Sequence, residues 1–136
     1  MAIPDRIEDA LLLWQHSRYE GAFLNALIAV AAASRKRYPD RRKMRDGPAF
    51  IQFLVDESSI RLSIEFRGGL HSIEYVLYKW LRCTLVHEGE IPFDIEFTDA
   101  NDLWVRAGGT PNFTLQLSRG WFWHLIDSVR TAPEYS

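Results

Sequence analysis

The chain has a single cysteine, Cys83, in 136 residues, so it can form no internal disulfide. A secreted disulfide framework is thereby excluded, and a reducing, cytoplasmic setting is the expectation. Long apolar runs are missing as well. The most apolar stretch, Gly21 to Ala33, contains Asn25 and runs straight into Arg35, Lys36 and Arg37. It falls short of the roughly 20 residues that a bilayer span requires, so a buried helix is expected and no membrane partner. The early acids Asp5, Glu8 and Asp9 argue against a secretory leader. Several chemical motifs are missing too. Arg67-Gly68-Gly69 lacks the Lys-Ser/Thr of a phosphate loop, and Gly108-Gly109 falls in a hairpin-like turn. There is no HExxH and no cysteine cluster; His71 with Glu74 is the nearest approach, so no metal and no other cofactor is expected. A Ser-His-Asp arrangement is not legible in a linear sequence.

What remains is ordinary globular material. With 47% hydrophobic and 25% charged residues the chain can fold, which excludes disorder and collagen-like repeats. Its length fits one domain over residues 1–136 with one real core. Net charge is −2, but it is unevenly placed: seven basic and two acidic residues between Arg35 and Asp46 give that segment +5 and leave −7 for the rest. Such asymmetry hints at a polyanionic partner. Arg35, Lys36, Arg37, Arg41, Arg42 and Lys43 are the candidate RNA-binding residues, through release of counterions from a phosphate backbone. Tyr38 among them has a ring on which a base could stack. The alternative is a solvated loop after a helix.

Periodicity predicts an α+β protein, with a helical part over about 4–89 and a small sheet plus closing helix over about 93–132. Pro4 opens a first helix carrying Ile7, Leu11 and Trp14 inward. A break near Gln15 to Ser17 precedes a second helix that ends before Pro39, with Phe23, Leu24, Leu27, Ile28 and Ala31 on one side. Asp46-Gly47-Pro48 reads as a cap with proline in the first turn of a short helix through Phe50, Phe53 and Leu54. Ile60, Leu62, Ile64 and Phe66 alternate with polar residues as a strand that Arg67-Gly68-Gly69 ends.

The longest helix is expected from about Leu70 to about His87. Ile73, Leu77, Trp80, Leu81 and Thr84 form its core stripe, and His71, Tyr75, Tyr78 and Arg82 a second one. Gly89 is placed to cap it, and Pro92 stops it. Beyond that, Phe93-Ile95-Phe97, Leu103-Val105 and Phe113-Leu115-Leu117 alternate as an antiparallel three-stranded meander, with turns at Asp99–Asp102 and Gly108–Asn112. Ser118 then caps a final helix with Phe122, Leu125, Ile126 and Val129 inward, ended at Pro133. Trp104, Trp121 and Trp123 are core, interface or a ligand-facing wall.

Chemistry concentrates in Tyr78-Lys79-Trp80-Leu81-Arg82-Cys83-Thr84-Leu85-Val86-His87-Glu88-Gly89. An arginine and a histidine separated by four residues, near the end of a long helix that follows an early helical pair and a shorter helix, resemble the signature of the HEPN superfamily. The resemblance covers roughly Ile7 to Gly89 and implies a HEPN-like helical bundle. Many members are metal-independent endoribonucleases of toxin–antitoxin and defence systems, and others are non-catalytic dimeric modules. Under the first reading an antitoxin-type protein partner is implied. Arg82 would then hold the scissile phosphate and His87 would act as general base or acid; guanidinium and imidazole suit those tasks. The sequence departs from the pattern at Cys83, where the family often has a polar Asn, Asp or His.

Five steps of about 100° leave Arg82 and His87 about 140° apart around a straight α-helix. They converge only if the helix unwinds before His87, or if two chains set their signature helices side by side, which is the arrangement the resemblance implies. His71, Tyr75 and Tyr78 are the candidate dimer interface of a twofold homodimer. The alternative is structural: Arg82 paired with Glu74, Glu88 or another carboxylate, and His87 capping the helix end.

Overall fold

The computed structural model describes residues 2–106 and 114–135, and over these the protein is α+β, with two small sheets and a C-terminal helix. The first helix, α1 (Ile3–Gln15), has proline in its first turn and buries Ile3, Ile7 and Ala10. Ser17, at φ 59°, reverses the chain, and the Arg18 N–H donates to the Leu13 carbonyl at 2.9 Å.

The second helix, α2 (Tyr19–Arg37), is the axis of the core. Ala22, Ala26, Ala29 and Ala33 are buried together with Phe23, Leu27 and Val30, so most of its circumference is covered. A helix apolar on nearly every side belongs in an interior. The small alanines let α1, α3 (Asp46–Glu57) and the C-terminal helix approach closely. None of the described helices is long and apolar enough to cross a membrane. In α3, Ala49, Phe50, Phe53 and Leu54 point inward. Asp46 is its first residue rather than its cap; no side chain caps this end, and the Asp46 carboxylate is taken by Arg35.

The expected strand is shorter than its alternation, and it has an unexpected partner. β1 (Ser63–Phe66) pairs antiparallel with β2 (Gly69–Ser72), from Ser63 opposite Ser72 to Phe66 opposite Gly69. The two-residue turn between them has φ 51° at Arg67 and φ 81° at Gly68. Two consecutive positive φ values give the hairpin turn whose twist matches the strands it joins. This corrects the helix start expected at Leu70: residues 69–72 are committed to the ladder. Ser72 then caps the helix, its Oγ accepting from the Tyr75 N–H at 3.2 Å.

The helix that follows, α4 (residues 73–88), changes pitch along its length. Ile73–Val76 is α-helical, Leu77–Arg82 is π-helical, and Cys83–Glu88 is α-helical again. The sequence supplies the reason. Ile73, Leu77, Leu81 and Leu85 are all buried and recur every four residues. In an α-helix each such step drifts by about 40°. A wider, i→i+5 bonded segment takes up that drift and keeps all four residues on the core. Trp80 and Thr84, expected in the core stripe, are half-buried instead. Gly89 closes the helix in the left-handed conformation, φ 75°, its N–H donating to Leu85.

The second sheet is mixed, which corrects the expected antiparallel meander. β3 (Ile95–Thr98) runs parallel to β5 (Leu115–Ser118), and β4 (Val105–Arg106) pairs antiparallel on the other side, giving the order β3-β5-β4. Alternation identifies strands but does not order them, and the last strand inserts between the first two. Phe113 and the turn expected at Gly108–Asn112 lie outside the described residues. Ser118 belongs to β5 rather than capping the next helix; its Oγ accepts from the Trp104 N–H and donates to the Asp102 carbonyl.

The closing helix, α5 (Gly120–Arg130), buries Trp121, Phe122, Leu125, Ile126 and Val129. Trp121 donates its indole N–H to the Trp104 carbonyl at 3.0 Å, which makes it core rather than a ligand-facing wall. A 3-10 turn, Pro133–Tyr135, follows and is held on α2 by Arg37.

Candidate nucleic-acid interface

The basic run is divided by its surroundings. Arg35 donates to the carbonyls of Tyr38 at 2.7 Å and Met44 at 3.0 Å and to Asp46 at 2.5 Å, clipping the connection to the start of α3. Arg37 lies over the Phe53 ring and bonds Glu57 at 2.5 Å and Glu134 at 2.6 Å. Those two carboxylates raise its pKa, against the lowering effect of burial. The Lys36 ammonium donates to the Glu134 carbonyl at 3.3 Å. Tyr38 donates its hydroxyl to Asp56 at 2.5 Å, so its ring is positioned by the fold. Arg41, Arg42 and Lys43 are exposed on the turn that follows, and so is Arg45. The turn itself is set by Asp40, whose carbonyl accepts from the N–H groups of Lys43 and Met44 and whose carboxylate accepts from that of Arg42.

Beside the turn lies a cleft of about 580 Å³ lined by Arg41, Arg45, Asp46, Gly47, Pro48 and Tyr78. Gly47 allows the first turn of α3 to lie flat on the tyrosine; a Cβ there would come within 2.9 Å of the Tyr78 ring. Tyr78 packs on Phe50 with ring centroids 5.3 Å apart, and its hydroxyl meets the Cys83 thiol. Its pKa is raised, first by burial. The Asp46 carboxyl sits below its ordinary range, chiefly through its bond to Arg35, with Arg41 and Arg82 contributing charge.

Arg82, one turn on from Tyr78 along α4, holds its guanidinium 5.7 Å from the Tyr78 ring centroid. It is half-buried, its Nε is buried without a hydrogen bond, and it pairs with no carboxylate among the described residues. Neither Glu74, which is buried, nor Glu88, which is exposed, is its partner. His87 is exposed in the last turn of α4 and bonds no described residue. The π-helical segment ends at Arg82, so the five steps to His87 are α-helical and the two side chains stay about 140° apart. One chain does not bring them together.

The expected interface stripe is split by the same segment. His71, on β2, stacks on Tyr75 at 5.1 Å, and both meet the Trp80 edge at 4.7 and 5.4 Å. Tyr75 and Trp80 are five residues apart, the spacing that a π-helix brings into line. These rings are half-buried next to Leu70, which is 74% exposed. Tyr78 faces the cleft instead. Sequence reasoning counted Arg45 within the basic run but did not assign Asp46, Gly47 or Pro48 to a site. Their role depends on contact with Tyr78, thirty residues on, which no local pattern encodes.

The fold and this surface define an α+β protein with a basic turn and an arginine-flanked cleft between the start of α3 and Tyr78 of α4. The chain belongs to the Rv1289 family, whose sequence profile matches residues 2–135. No curated protein and no solved structure matches it.

Proposed function

We propose that the protein is an RNA-directed, HEPN-like endoribonuclease of the toxin–antitoxin or defence type, working in the cytoplasm without metal. The basic turn holds the phosphate backbone, and two chains pair so that Arg82 of one meets His87 of the partner subunit at one phosphodiester. The imidazole takes the ribose hydroxyl proton, or returns one to the leaving oxygen, while the guanidinium stabilises charge on the phosphate. One observation carries this reading: Arg82 is a half-buried guanidinium with no acceptor among the described residues, beside a surface where Arg41, Arg42, Lys43 and Arg45 all reach solvent. A guanidinium kept in that state is poised for an anion from outside.

A second reading is a non-catalytic homodimeric module. It is favoured by Cys83, whose thiol meets Tyr78 rather than offering a strong hydrogen bond at the site. Incubation with total RNA in EDTA separates the two. Cleavage by the natural protein and not by His87→Ala supports the nuclease; no cleavage by either leaves the module.

A further inference from the structure

The cleft beside the basic turn has a composition that the phosphate-tracking role does not require. Its floor is the half-buried Tyr78 ring, and around it stand the exposed Pro48 and two exposed guanidinium groups, Arg41 and Arg45. One wall is Asp46, whose charge is already answered by Arg35 at 2.5 Å, so the rim retains its positive balance. A duplex backbone would need only the rim. A concave space with an aromatic floor suits an unstacked base, and an A-form duplex keeps its bases stacked inside.

We propose that this cleft seats one nucleotide of a single RNA strand, its base against Tyr78 and Pro48 and its phosphate between Arg41 and Arg45. The inference rests on the RNA-directed reading above and adds the strand state of the ligand. About 580 Å³ is within the usual range for a pocket that holds a small molecule, and it accommodates a mononucleotide. Gly47 belongs to the same device, because a side chain at that position would push into the ring that forms the floor. Arg82 does not line the cleft, but its guanidinium lies within cation–π distance of the Tyr78 ring, so its charge polarises the surface the base meets. Arg42 and Lys43 do not line the cleft and supply charge alone.

The test compares fluorescent oligoadenylate as a single strand with the duplex it forms with oligouridylate, by anisotropy at fixed salt, with adenosine monophosphate as competitor. The single strand is expected to bind about tenfold more tightly than the duplex. Tyr78→Leu and the double variant Arg41→Ala/Arg45→Ala are expected to erase that preference. Arg42→Ala/Lys43→Ala should weaken both ligands alike and keep it. Because Tyr78 is half-buried, the arginine pair provides the reading should Tyr78→Leu fail to fold. Equal affinity for the two ligands, or equal losses on both from the cleft variants, overturns the single-nucleotide cleft and leaves the RNA-directed reading standing. Absence of binding to either ligand overturns both.

Discussion

Arg37 and Arg41 lie four residues apart, one on the last turn of α2 and the other on the loop after it. The Arg37 side chain is 17% exposed and holds two carboxylates that are themselves 16% and 15% exposed, whereas Arg41 projects into water. Removing Arg37 strands Glu57 and Glu134 in a poorly solvated place, so Arg37→Ala is expected to lower stability by about 2–3 kcal/mol in urea unfolding. Removing Arg41 should leave the unfolding midpoint unchanged. The same contact sets a pH dependence. Arg37 holds the Glu134 carboxyl below its ordinary value of 4.5, so the unfolded chain takes up that proton first as pH falls. The stabilisation is complete above pH 4.5 and is lost as pH drops through the depressed folded-state value. Urea midpoints measured downward from neutral pH should therefore fall more steeply for the natural protein than for Arg37→Ala; equal slopes would contradict this account.

At the scale of elements, Gly120 shows how tightly α5 is seated. A Cβ there would collide with the carbonyl oxygens of Asn101 and Asp102, and backbone cannot move aside as a side chain can. Gly120→Ala is expected to cost more than about 2 kcal/mol, read as a lowered melting temperature. The helices were largely legible in the sequence, because their boundaries are written in local chemistry: Pro4, the Arg35-Lys36-Arg37 turn before Pro39, Gly89 in the left-handed conformation, Pro133. The hairpin was half legible. Arg67-Gly68-Gly69 marked the end of β1, but Leu70-His71-Ser72 match helical spacing as well as extended spacing, and only pairing decides between them. The parallel β3–β5 pairing was not legible, since strand order is a long-range property. For the candidate site, sequence picked out Arg82 and the exposed turn. It did not indicate that Tyr78 and the start of α3 close a cleft between them, nor that Arg35 and Arg37 are taken up by the fold.

At the scale of the whole molecule, the charge asymmetry becomes a measurable ionic response. Under the proposed function, the four exposed cations of the turn, Arg41, Arg42, Lys43 and Arg45, set the number of counterions that a single strand can release. The logarithm of RNA affinity should fall with the logarithm of salt with a slope of up to about −3. A flat dependence would remove the electrostatic basis of binding. Assembly is the second property at this scale. His71, Tyr75 and Trp80 form a half-buried aromatic patch beside the exposed Leu70, an apolar surface with polar tips that suits a twofold contact. Light scattering at micromolar concentration should give the mass of two chains. A single-chain mass would withdraw the partnered Arg82–His87 site and leave a binding protein.

The strand order β3-β5-β4 has a bearing on biosynthesis. The middle strand is the last to be translated, so a nascent polypeptide that has exposed Ile95–Thr98 and Val105–Arg106 holds two unzipped ladders with nothing between them. Vectorial folding of this half must wait until Leu115–Ser118 has cleared the ribosomal tunnel, and α5 can dock only then. Released chains truncated at residue 114 should be cut readily by protease in the 95–106 region, and protection should arrive in one step once the chain extends through α5.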